Sequence, residues 1–141
     1  MPLFSELRYE SLAVGDRWGP FVDSLDREAS DRLRGSLGNA VTGTVAPLGV
    51  LPLLTLRALR RALGGIVPGG VLIRQHFSLA ESFPADAETE TVVWVSAQQQ
   101  RPSGFYTTFS FEIAHANRTK AAVEWMILAP PSDEGTANEL A

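Results

Sequence analysis

The stretch from Leu48 to Leu63 is almost wholly apolar, and the residues after it, Gly69 to Pro130, alternate like a run of strands. That order limits the fold more than any other feature. In LGVLPLLTLRALRRALGG, residues Leu48, Leu51, Leu54, Leu56, Leu59 and Leu63 leave few polar faces, which predicts a helix with most of its girth buried. Pro52 is tolerated within a first helical turn, so the helix starts near Val50 or Leu51. Arg57, Arg60 and Arg61 gather toward its C-terminal end, where cations complement the helix dipole, and Gly64-Gly65 stops it.

Four strands are expected beyond it. The first sets Val71, Ile73, Gln75, Phe77 and Leu79 against Leu72, Arg74, His76 and Ser78. A turn with Pro84 and Asp86 leads to the second, where Val93 and Val95 oppose Val92 and Trp94. A hairpin at Arg101-Pro102-Ser103-Gly104 gives the third, with Phe105, Thr107, Phe109, Phe111 and Ile113 inward. A turn at Ala116-Asn117-Arg118 gives the fourth, with Val123, Trp125 and Ile127 on one side.

The N-terminal part is plainer. Gly15-Asp16 and Gly19-Pro20 are turn signals, Phe21-Val22-Asp23 is a short edge strand, and Ser24 or Asp26 caps a polar helix over Arg27 to Leu37. The expectation is an α+β fold in one domain over residues 1–130, with 131–141 a flexible tail. A long sheet with one apolar face needs the helix to cover it. A helix so apolar in turn needs a second sheet, so dimerisation follows from packing.

At 141 residues and 45% hydrophobic content, the chain has enough material for one core. A net charge of −4 disfavours nucleic acid and acidic membrane as partners, since both need clustered Lys and Arg. With no cysteine, thiolate nucleophiles, disulfides and Cys-based metal sites are excluded. No metal-ligand spacing, phosphate loop or nucleophile elbow is visible. The charged N-terminus and the short apolar stretch Val45–Leu56 give no secretory signal and no membrane span, so a cytoplasmic protein is expected.

Several segments resemble the MaoC-like branch of the hot-dog hydratases and dehydratases. RYESLAVGDRWGPF is similar to that family's entry into its first strand, and TVAPLG to its lead into the central helix. VLIRQHFSLAESFPADAETETVVWV and FSFEIAHANRTKAAVEWMILAP resemble its later strands and closing hairpin. The resemblance implies a hot-dog fold, an antiparallel sheet wrapped around one long helix, and acyl thioesters as ligands. Active members place an Asp, and a His five positions later, before the helix to activate water. Backbone N–H groups at the helix start polarise the thioester carbonyl.

Here the matching stretch is Gly38 to Thr44, with Asn39 at the Asp position and Thr44 at the His position. Neither is a general base near neutral pH. No histidine precedes His76, so the dyad is absent. His76 is then either a relocated acid–base or an ordinary strand histidine, and His115, beside Asn117, reads as a turn residue. Asp23, Asp26 and Asp31 are the nearest acids, either a lone catalytic carboxylate or caps of the polar helix. Leu48 and Gly49 at the helix start fit the carbonyl-binding role. Arg57, Arg60 and Arg61 either hold the phosphates of coenzyme A or phosphopantetheine, or simply solvate the helix end.

No resident cofactor is expected, only such a thioester as ligand. The resemblance implies a non-catalytic or partner-dependent acyl-thioester-binding subunit, in a homodimer or a heterodimer with another hot-dog chain. The alternatives are an active thioesterase or hydratase with a relocated base, and a structural dimer without ligand.

Overall fold

The computed structural model describes residues 11–25, 50–64, 70–84 and 86–129. It contains β1 (Arg17–Ser24), α1 (Val50–Leu63), β2 (Val71–Leu79), β3 (Glu88–Arg101), β4 (Gly104–His115) and β5 (Arg118–Ala129). The strands form one antiparallel sheet in the order β1-β3-β4-β5-β2, which leaves β1 and β2 at the edges. The polar helix expected over 27–37, the loop after it and the tail 131–141 lie outside the described residues.

Alternation on the three central strands works as expected. Cross-strand pairing sets Val93, Phe111 and Val123 in one inner row and Val95, Phe109 and Trp125 in the next. All six are buried, and the Phe111 and Trp125 rings meet at 5.6 Å in a tilted pair. A bulge after Val95 lets β3 curl, after which Gln98 pairs with Thr107. The helix packs on the β1–β3 side of this inner face.

Two turns make β3, β4 and β5 a meander. At the β3–β4 hairpin Gly104 has a φ of +141°, and a Cβ there would lie 2.3 Å from the Ala129 carbonyl oxygen, so only glycine fits. The β4–β5 turn places Ala116 (φ +51°) and Asn117 (φ +63°) in left-handed backbone, the pattern of a type I′ hairpin. Asn tolerates that region and Ala does not. Ala116→Gly is therefore expected to stabilise the fold by roughly 0.5–1 kcal/mol, the relief of strain exceeding the added chain entropy. A urea midpoint that stays put or falls would show that the turn is unstrained.

Three observations depart from expectation. β1 runs from Arg17 and not from Phe21, passing through Gly19-Pro20 with a shift in register. An edge strand accommodates proline because its missing N–H can face away from the ladder. Next, α1 buries one side only: Val50, Leu51, Leu54, Thr55, Ala58, Leu59, Ala62 and Leu63 are covered, while Pro52, Arg57, Arg60 and Arg61 are exposed and Leu53 is 41% exposed. The expectation of near-complete burial was too strong, because the arginines at 57, 60 and 61 already supply a polar face. Lastly, every residue of β2 except the half-buried Phe77 is exposed. Its alternation is broken by a bulge between Leu72 and Arg74.

The far end of β2 is tied to β5. Ala80 and Glu81 donate backbone N–H groups to the Lys120 carbonyl, and the Glu81 carboxylate takes Arg118 and, at 3.0 Å, Lys120. The Lys120 hydrogen bond does most to hold the Glu81 carboxyl below its usual range. This tie is present above the ordinary glutamate pKa and is lost as pH falls through the lowered one.

Candidate functional site

The densest polar cluster under the helix joins β1 to α1. Asp23, at the end of β1, is 6% exposed, and its Oδ1 accepts a hydrogen bond from Arg61 Nη2 at 3.0 Å. Arg57 Nη1 stands 3.6 Å from the same oxygen, and Arg61 Nη1 donates to the Val22 carbonyl at 2.9 Å. The spacing of four residues puts both arginines on one helix face, so a single strand-end carboxylate meets both. The Thr89 hydroxyl donates to the Asp23 carbonyl at 3.2 Å and fixes the strand end. Asp23 Oδ2 is buried with no hydrogen-bond partner.

Of the three arginines singled out from sequence, the structure thus brings Arg57 and Arg61 to Asp23. Arg60 is exposed and makes no ion pair with a described residue. At 1.5 Å per residue, Arg57 lies about 10 Å and Arg61 about 16 Å along the axis from Val50. The first turn of α1 holds no acidic residue, so no carboxylate of that turn offsets its N-terminal partial charge. Leu48 and Gly49, and the dyad positions Asn39 and Thr44, lie outside the described residues, as do Asp26 and Asp31.

The two histidines fall elsewhere. His76 is exposed on the outer face of the sheet, the side opposite Phe77, and pairs across the ladder with Glu124. Glu124 pairs in turn with Ser110. The acid therefore stands between the imidazole and the hydroxyl, the wrong order for a base activating a nucleophile. His115 Nδ1 bonds the Glu88 carbonyl oxygen at 2.9 Å beside the β4–β5 turn. It lines an open recess of about 290 Å³ with Glu88, Glu90 and Asn117. Two glutamates there oppose an anionic ligand.

Sequence reasoning gave no hint of three orphaned polar atoms on the buried inner face, Thr91 Oγ1, Thr107 Oγ1 and Trp125 Nε1. It also missed how β2 ends the sheet. Since Ala80 donates to Lys120, antiparallel alternation turns the N–H and C=O of Gln75, Phe77 and Leu79 away from β5 toward the open edge. Val71, Leu72, Ile73 and Leu79 on this strand are 40–56% exposed. Among the described residues no group of three or more acidic or histidine side chains is placed to hold a metal, and no helix is long and apolar enough to cross a membrane.

No protein-family model and no curated protein matches the chain by sequence. Solved structures match it by shape. The R-hydratase PhaJ1 of Pseudomonas aeruginosa superposes with a TM-score of 0.70 over 88% of this chain and 86% of its own, at 15% identity. A MaoC-like dehydratase of Rhodospirillum rubrum gives 0.69 over 89% and 99%, at 16% identity. The fold is the hot-dog. The HadBC complex of Mycobacterium tuberculosis, described as a 3R-hydroxyacyl-ACP dehydratase, shares it at 0.68 over 82% of this chain and 96% of that one, at 13% identity. The likeness to MaoC-like hydratases and dehydratases, expected from sequence, holds at the level of this hot-dog architecture.

Proposed function

We propose that this hot-dog chain binds an acyl thioester of coenzyme A or phosphopantetheine without supplying the acid–base pair, and acts beside a catalytic hot-dog subunit. One observation carries the reading. The chain has two histidines, and both lie away from the helix-covered face, His76 on the outer sheet face and His115 at a hairpin end. Asn39 and Thr44 at the dyad positions support it from the sequence. The R-hydratase and the dehydratase complex that share this fold support the ligand class and a partnered state. The exposed β2 edge is the surface where that partner strand would join.

The purified chain alone is expected to leave the enoyl absorbance of crotonyl-CoA unchanged, while acyl-CoA raises its melting temperature through preferential binding to the folded form. Steady hydration by the isolated chain, lost in His76→Ala, would overturn the reading. No thermal shift with coenzyme A or acyl-CoA would leave only a ligand-free structural role.

A second reading, a thioesterase working from a relocated carboxylate, draws on Asp23 and its unpartnered buried Oδ2. Thiol release from a panel of acyl-CoA esters, abolished by Asp23→Asn in a protein that stays folded, would favour it over the first.

A further inference from the structure

We infer that the strand completing the β2 edge belongs to a different chain, one that presents acidic side chains on the outer face, and not to a second copy of this one. The inference rests on the partnered reading above and names the partner's chemistry.

The two edges of the sheet are built differently. β1 carries Gly19, Pro20 and a register shift, devices that blunt an edge against added strands. β2 has neither glycine nor proline, directs backbone groups of Gln75, Phe77 and Leu79 outward, and exposes Val71, Leu72, Ile73 and Leu79. It is an edge made to be paired.

Its charges choose the partner. The charged or titratable side chains of β2 are Arg74 and His76, both on the outer face, and neither makes an ion pair with a described residue. The groups across from them on β5 are Met126 and Glu124, so one carboxylate of this chain faces the pair. An added antiparallel strand aligns its outer face with this outer face. In a copy, Arg74 would meet Val71, Arg74, His76 or Ser78 in any register, because β2 contains no acid. Like charges placed directly opposite destabilise a strand pair, whereas opposite charges support it. The net charge of −4 does not reverse this, since charges beyond about 8 Å are largely screened at physiological ionic strength. An acidic strand thus gives Arg74 a counter-charge that a copy of β2 supplies in no register, and the discrimination rests on that attractive element.

Sedimentation of the wild type, of the double variant Arg74→Glu/His76→Glu, and of their equal mixture tests this. Both altered residues are exposed, so the variant should fold, which circular dichroism checks. The mixture is expected to associate at least about ten-fold more tightly than the wild type alone, with the gain shrinking at high salt. Gln75→Pro should abolish that association, since the lost N–H faces the open edge and not β5. A wild type that dimerises through β2 as tightly as the mixture would make a copy the occupant and overturn the inference while sparing the partnered reading. Association that survives Gln75→Pro runs through another surface and overturns it too. No association in the mixture would show that acids opposite Arg74 and His76 do not suffice to pair this edge and would overturn the inference, while the partnered reading stands or falls on the thioester-binding and hydration tests above.

Discussion

Phe109→Ala is expected to cost about 3–5 kcal/mol, the usual range for emptying a fully buried aromatic site. Phe109 is 0% exposed in the inner row between Val95 and Trp125, and the sheet backbone on both sides prevents collapse into the void. Since folded domains hold only about 5–15 kcal/mol in reserve, the variant should lose a large share of its stability. Urea unfolding followed by circular dichroism reads the loss as a lowered midpoint. A cost below about 1 kcal/mol would mean that the inner face is loosely packed and the helix-on-sheet core is wrongly drawn.

That central position was legible in the sequence. Phe105 to Ile113 and Val123 to Ile127 alternate with period two, and a strand buried on one face has no other way to be written. What failed were inferences from hydrophobicity alone. The leucines at 48, 51, 54, 56, 59 and 63 made the helix look buried almost all round, yet Leu53, beside Arg57 and Arg60 on its polar face, is exposed. Gly19-Pro20 read as a turn because both residues punctuate structure, but at a sheet edge they bend a strand without ending it. The exposure of β2 on both faces could not be read at all, since edge position is a property of strand order and not of composition.

The candidate site was less legible for a related reason. Arg57, Arg60 and Arg61 read as one helical face, but Asp23, which meets Arg57 and Arg61 and not Arg60, lies on another element, and residues so far apart in sequence share no period. Reading Asp23 as a cap or a solvated acid was reasonable from neighbours alone. The topology instead folds β1 against the helix and turns the carboxylate inward. The outward placement of His76 was equally open, because the alternation allowed either face until Phe77 was seen to take the inner one.

Asp23→Ala is expected to destabilise the fold by about 1–2 kcal/mol, less than the 1.5–3 kcal/mol typical of a hydrogen bond to a charged group. The discount is needed because Arg61 is 44% exposed and water can take over part of its solvation once the carboxylate is gone. Loss of the orphaned Oδ2 also removes a buried polar atom that gained nothing from folding, which trims the cost further. Arg61→Ala should cost a similar amount, and the double variant less than the sum, with a coupling energy near 1 kcal/mol if the two act as one clamp between β1 and α1. The cycle also separates the two functional readings. A clamp shows coupling and no effect on thioester chemistry beyond that of unfolding. A catalytic carboxylate shows little coupling, a stable Asp23→Asn protein, and thiol release that disappears with the charge.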